Sequence, residues 1–187
     1  MDVTNLHQLY FEDENSISRI INGIYDRIEN EGLNPVWISV TPRDKSMERI
    51  EKLLQIPRED RMKYPLYGIP YAAKDNIDVI GLATTCGCRT FAQDVAKENA
   101  FVVQKLEDAG AICIGKTNMD QFATGLVGTR SPYGACSSVF HPNHISGGSS
   151  SGSAVAVAKD LVSETCFFSS FFLKFPLTKK GDIFTGK

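Results

Sequence analysis

The chain has no excess of either charge. Its 20 Lys and Arg against 22 Asp and Glu leave a formal net charge of −2, and the basic residues are scattered rather than gathered into a stripe. Neither a nucleic acid nor an anionic membrane is therefore implied as a partner. The start, Met1-Asp2-Val3-Thr4-Asn5-Leu6-His7, lacks a basic segment followed by an apolar run, which argues against a secretory signal. Long apolar runs are also lacking. The longest, Cys166 to Phe175, is broken by Ser169, Ser170 and Lys174 and falls short of the roughly 20 residues that span a bilayer. The 5 cysteines are odd in number and irregular in spacing, so they suit free thiols in a reducing compartment, with the cytosol the default. Cys86-Gly87-Cys88 has neither zinc nor redox spacing. His141 and His144, two of only 3 histidines, are too few to hold a metal alone.

What is present is an α/β texture in 187 residues, enough for one domain with a sizeable core. Ile17, Ile20, Ile21, Ile24, Tyr25 and Ile28 recur at helical spacing, which predicts a helix over 16–30 with Asn15 or Ser16 as its cap and Gly32 as its stop. A short β-rich run, Val36 to Val40, closes at Pro42, and a second helix covers 45–54, ending before Pro57. Residues 1–60 then read as an N-terminal helical layer. Ile69 to Lys74 is a strand candidate, Glu98 to Ala109 a helix with Gly110 as its C′ residue, and 111–115 a buried strand. Residues 119–124 suggest a short helix capped by Asn118. Small apolar residues over 153–161 suit a helix packed on a sheet.

Two features carry chemistry. Gly147-Gly148-Ser149-Ser150-Ser151-Gly152-Ser153 combines free backbone torsions, hydroxyls and the unpaired N–H groups of a helix start, a setting in which an oxyanion can sit. The same residues also read as a flexible Gly/Ser loop, and the segment lacks the Gly-Lys-Ser/Thr ending of a phosphate-binding loop. Lys74 ends an apolar run beside Asp75 and Asn76. Buried, it would shift toward the neutral form that a general base requires; exposed, it is a surface lysine just past a strand.

Taken in order, Gly68-Ile69-Pro70-Tyr71-Ala72-Ala73-Lys74-Asp75-Asn76, Gly115-Lys116-Thr117-Asn118-Met119-Asp120-Gln121-Phe122 and the Gly147 to Ala154 segment resemble the amidase signature family over about residues 64–162. The resemblance implies an α/β fold, a mixed sheet covered by helices, present here in its N-terminal portion, with the core at 61–162. It implies C–N amide hydrolysis by a Ser–Ser–Lys triad, a step that calls for no metal or organic cofactor. Lys74 matches the catalytic lysine, and Ser149 matches a bridging serine that follows a cis peptide bond and relays a proton from a nucleophilic serine. Asp120 to Gly134 resembles allophanate hydrolases, including the hydrolase half of urea amidolyases. The A-type chains of aminoacyl-tRNA amidotransferases carry Ser-Ser-Thr-Glu-Asn-Ser there. Allophanate is then the expected substrate, and a urea carboxylase or another amidase subunit the expected partner. Within that segment Arg130, with Tyr133 and Gly128, is a candidate for substrate binding, since an arginine fork pairs with a carboxylate; a turn arginine capping carbonyls is the alternative.

The pattern breaks after Val162. At the family's spacing the nucleophile falls on Leu173, within Phe171-Phe172-Leu173-Lys174-Phe175, where the family has a Gly-Thr-Asp-rich segment. Five phenylalanines in the ten residues 166–175 make an aggregation hazard if exposed. Residues 163–187 are accordingly expected to be a divergent tail foreign to the fold, and the chain an inactive member or fragment.

Overall fold

The computed structural model describes residues 2–31 and 35–166. Helix α1 (Val3–Glu12), which the apolar spacing does not reveal, is set by its cap: the Asp2 carboxylate accepts from the N–H groups of Thr4 and Asn5 at 2.8 and 3.2 Å. Helix α2 (Asn15–Asn30) follows the expected apolar stripe, with Ile17, Ile21 and Ile24 fully buried. Gly32, its expected stop, lies outside the described residues. Strand β1 (Trp37–Val40) and helix α3 (Arg43–Leu54) come next. The Tyr25 hydroxyl donates to the Thr41 carbonyl at 2.9 Å and meets Ser46 Oγ at 2.7 Å, tying α2 to the start of α3.

Four strands form one mixed sheet in the order β1-β3-β2-β4, with β2 at Pro70–Lys74, β3 at Ile112–Thr117 and β4 at Glu164–Cys166. β2 runs parallel to both β3 and β4, and β1 lies antiparallel at one edge. The opening 60 residues are thus more than a helical layer, because β1 belongs to the sheet. The expected start of a foreign tail at residue 163 is too early, because Glu164–Cys166 form β4 and pair with Tyr71, Ala72 and Ala73 of β2; residues 167–187 lie outside the described residues.

Each sheet face has its own core. α1, α2, α3 and helix α5 (Ser151–Ala158) cover one face, burying Ile50, Leu53, Ala72, Ile112, Ile114, Val155 and Ala156 together. Helix α4 (Phe101–Asp108) covers the other, where Tyr71, Ala73, Cys113, Val103 and Leu106 meet. The pairing of β2 with β3 skips a residue: Tyr71 opposes Cys113, but Ala72 opposes Gly115. A bulge of this kind moves every later side chain on β3 to the opposite face. Lys116 therefore joins Ala73 on the α4 face, whereas Thr117 joins Lys74 on the α5 face. Two lysines on adjacent strands are parted in this way, and one alone is delivered to the Gly/Ser loop.

Candidate active site

Lys74 closes β2 two residues after Ala72, so its side chain leaves the sheet on the face covered by α5. It is 2% exposed. Its Nζ donates to Ser149 Oγ at 2.8 Å, joining two residues 75 positions apart. Burial pulls the Lys74 ammonium below its ordinary value, while the negative charge of Asp120 works the other way. No carboxylate forms a salt bridge with Lys74 among the described residues, so Ser149 takes the hydrogen bond. A buried lysine of lowered proton affinity, bonded to a hydroxyl, is the arrangement a general base needs.

Ser149 is held from the backbone side. The Gly148–Ser149 peptide bond is cis. The Asp120 N–H donates to the Ser149 carbonyl at 3.0 Å, and the Gly148 N–H donates to the Leu126 carbonyl at 2.9 Å. Gly148 has no room for a side chain, since a Cβ there would lie 2.5 Å from both Asp120 Oδ2 and the Gly128 nitrogen. Gly128, at φ +73°, is equally constrained, with a Cβ 2.3 Å from the Gly147 carbonyl oxygen. The Gly/Ser segment is therefore a packed turn up to Ser150, after which α5 begins. One turn along, Ser153 Oγ meets Thr117 Oγ1 at 2.7 Å and fixes the helix to β3.

Four buried polar residues to which the sequence motifs assign no catalytic role build the surroundings. Asp120 is fully buried and accepts from the N–H groups of Gly128 at 3.0 Å and Arg130 at 2.8 Å. The Asn118 side chain donates to the carbonyls of Pro35 at 2.6 Å and Gly134 at 2.9 Å, and accepts from Ser131 Oγ at 2.5 Å. On the other face Lys116 is fully buried and lies 3.3 Å from Asp75 Oδ1, with the Ala83 carbonyl and Thr84 Oγ1 both at 3.0 Å. Desolvation lowers the Lys116 ammonium, and Asp75 opposes that shift. Asp75 Oδ2 in turn accepts from Thr85 Oγ1 and from the N–H groups of Thr85 at 3.1 Å and Gly87 at 3.3 Å. Lys116 is thus a saturated structural cation, whereas Lys74 has one hydroxyl partner.

Of the five residues expected at the site, Lys74, Ser149 and Gly128 converge. Arg130 joins them through its backbone, while its exposed guanidinium donates to the Thr124 carbonyl at 2.8 Å. Tyr133 lies beneath Arg89, whose guanidinium carbon sits 4.8 Å from the ring centroid. Residues 119–124 are not an α-helix. They make a short 3-10 turn (Gln121–Ala123) in which Phe122 and Ala123 take positive φ, because the chain must bend to bring the Asp120 carboxylate onto the Gly128 and Arg130 amides. Leu173 lies outside the described residues. No group of three or more His, Cys, Asp or Glu suited to a metal occurs among the described residues.

The chain belongs to the amidase family, whose model matches residues 19–164. It is 46% identical over 144 residues to the urea amidolyase of Saccharomyces cerevisiae, a match that covers 77% of this chain and 8% of that protein. It is 37% identical over 157 residues to the A-type chain of the glutamyl-tRNA(Gln) amidotransferase of Exiguobacterium sibiricum, covering 83% of this chain and 32% of that one. Among solved structures, the Kluyveromyces lactis allophanate hydrolase superposes with a TM-score of 0.76 at 38% identity, over 88% of this chain and 27% of that chain. The peptide amidase of Stenotrophomonas maltophilia superposes with a TM-score of 0.74 at 29% identity, over 88% and 35%. The chain thus spans less than a tenth of the urea amidolyase and about a third of the amidotransferase chain. No helix among the described residues is long and apolar enough to cross a membrane.

Proposed function

We propose that this chain carries the general-base half of an amidase that acts on allophanate, releasing ammonia and carbon dioxide. The observation that carries this reading is the 2.8 Å contact between the buried Lys74 Nζ and Ser149 Oγ. Neutral Lys74 takes a proton from Ser149, and Ser149 takes one from the nucleophilic serine as that serine adds to the amide carbonyl. Proton return through the same pair then reaches the leaving nitrogen. The allophanate branch is favoured over the amidotransferases by the segment 120–134 and by the higher identity to urea amidolyase, 46% against 37%. Arg130, Gly128 and Tyr133 are the proposed substrate contacts, which requires the Arg130 fork to leave the Thr124 carbonyl for the substrate carboxylate. A urea carboxylase or a further amidase subunit is the proposed partner. Free cysteines support a cytosolic location.

The family spacing assigns the nucleophile to Leu173, which bears no nucleophilic group. The chain on its own therefore does not turn over, and a binding role without cleavage is the second reading. A chimera distinguishes the two. Residues 19–164 are exchanged into the Kluyveromyces lactis allophanate hydrolase, which supplies the rest of the domain. Ammonia release from allophanate, with little from glutamine or a peptide amide, is expected of the chimera, and none of the chain by itself. A folded chimera that leaves allophanate intact would refute the allophanate reading, and turnover by the chain alone would refute the assignment of the missing nucleophile.

A further inference from the structure

We infer that Asp120 is the positioning residue of the Lys74–Ser149 pair, holding Ser149 in reach of the lysine while forming no salt bridge with that lysine. This rests on the reading of Lys74 as the base. Three observations meet on one residue. The Asp120 N–H holds the Ser149 carbonyl at 3.0 Å, which fixes the backbone of the serine that Lys74 addresses. The Asp120 carboxylate is fully buried and engaged by two loop amides, Gly128 N–H on Oδ2 and Arg130 N–H on Oδ1. The same Oδ2 occupies the space a side chain at Gly148 would need, the Cβ position lying 2.5 Å away. Through its carboxylate on one side and its backbone N–H on the other, Asp120 thus ties the two arms of the turn, 126–130 and 147–149, together.

That engagement matters for chemistry. A carboxylate bonded directly to Lys74 would hold it as an ammonium and leave Ser149 without a base. With its oxygens taken by backbone N–H groups, Asp120 acts on Lys74 only through space. The carboxylate next in sequence, Asp75, is committed to Lys116 across the sheet. Asp120 therefore opposes the full effect of burial on Lys74 without contacting it. Removing the charge should lower the proton affinity of Lys74 further and loosen Ser149 at the same time.

The test uses the full chain with isotope-labelled lysine, following the Lys74 Cε and Nζ resonances against pH and assigning them with Lys74→Met. Wild type is expected to titrate below an ordinary lysine, and Asp120→Asn to titrate lower still, with weakened protection of the Gly128 and Arg130 amides from exchange. Asp120→Asn sets an amide donor against one loop N–H and so risks the fold. Asp120→Ser, which keeps a hydroxyl acceptor and drops the charge, carries the same measurement. An unchanged Lys74 midpoint in a folded neutral variant would overturn the role of Asp120 alone. An ordinary lysine titration in the wild type would instead overturn the reading of Lys74 as the base.

Discussion

Lys74 and Lys116 are both sealed from water, and their contacts predict opposite responses to the same change. Lys116 is paired with Asp75 and bonded to Thr84 Oγ1 and the Ala83 carbonyl. Lys116→Met leaves a buried carboxylate without its cation and should cost about 3 kcal/mol, read as a fall in denaturant midpoint. Lys74 has a hydroxyl partner and no salt bridge among the described residues, so Lys74→Met should stabilise the chain by on the order of 1 kcal/mol. The sign with pH follows from linkage. Because burial lowers the Lys74 value in the folded state, the unfolded chain binds more protons between the folded value and the ordinary 10.5, and wild-type stability rises with pH across that window. The advantage of Lys74→Met is therefore fully present below the folded value and fades as pH approaches 10.5. Thermal melts of both proteins across that range check it. Much of this residue-scale chemistry was legible in sequence as motif order. The roles of Asp75, Lys116 and Asp120 were not, because a bulge on β3 and the bend at 121–123 decide which way those side chains point, and neither leaves a periodic signal.

At the scale of elements, α5 is the part that carries Ser149 to the sheet. Val155 and Ala156 pack it on β2, β3 and β4, and Ala156 is fully buried. Ala156→Leu inserts a branched side chain into a filled core and should cost about 2 kcal/mol. By lifting the helix it should also break the Lys74–Ser149 contact, which an amide spectrum of Gly147 to Ser151 would register as shifts well beyond the substituted turn. The small apolar run over 153–161 makes this helix readable in advance, as does the helix–Gly–strand rhythm of α4 and β3. Helix α1 escapes such a reading. It buries only Leu6 and Tyr10 and depends on the Asp2 cap and on the Tyr10 hydroxyl reaching the Gly68 carbonyl at 3.2 Å, the second a contact between residues far apart in the chain. β4 escapes as well, since three residues are too few to show alternation.

At the scale of the molecule, the sheet and its two cores reproduce about a quarter of the Kluyveromyces lactis enzyme, and apolar groups near the site stand open to solvent among the described residues. Leu126, whose carbonyl holds Gly148, is 85% exposed, and Phe140, in the loop leading to the Gly/Ser turn, is 90% exposed. Such groups are what a larger domain packs against, which is why the chimera, rather than the chain alone, is the setting in which the relay can be tested for turnover. Whether neutral Lys74 acts as the base on Ser149 is tested most directly by the pH dependence of allophanate hydrolysis in that chimera, with Lys74 present or replaced. A rate that rises as Lys74 loses its proton is expected, with a fall of about a thousandfold in Lys74→Ala and the melting transition retained; a folded Lys74→Ala chimera that keeps its rate and its pH profile would contradict the base role.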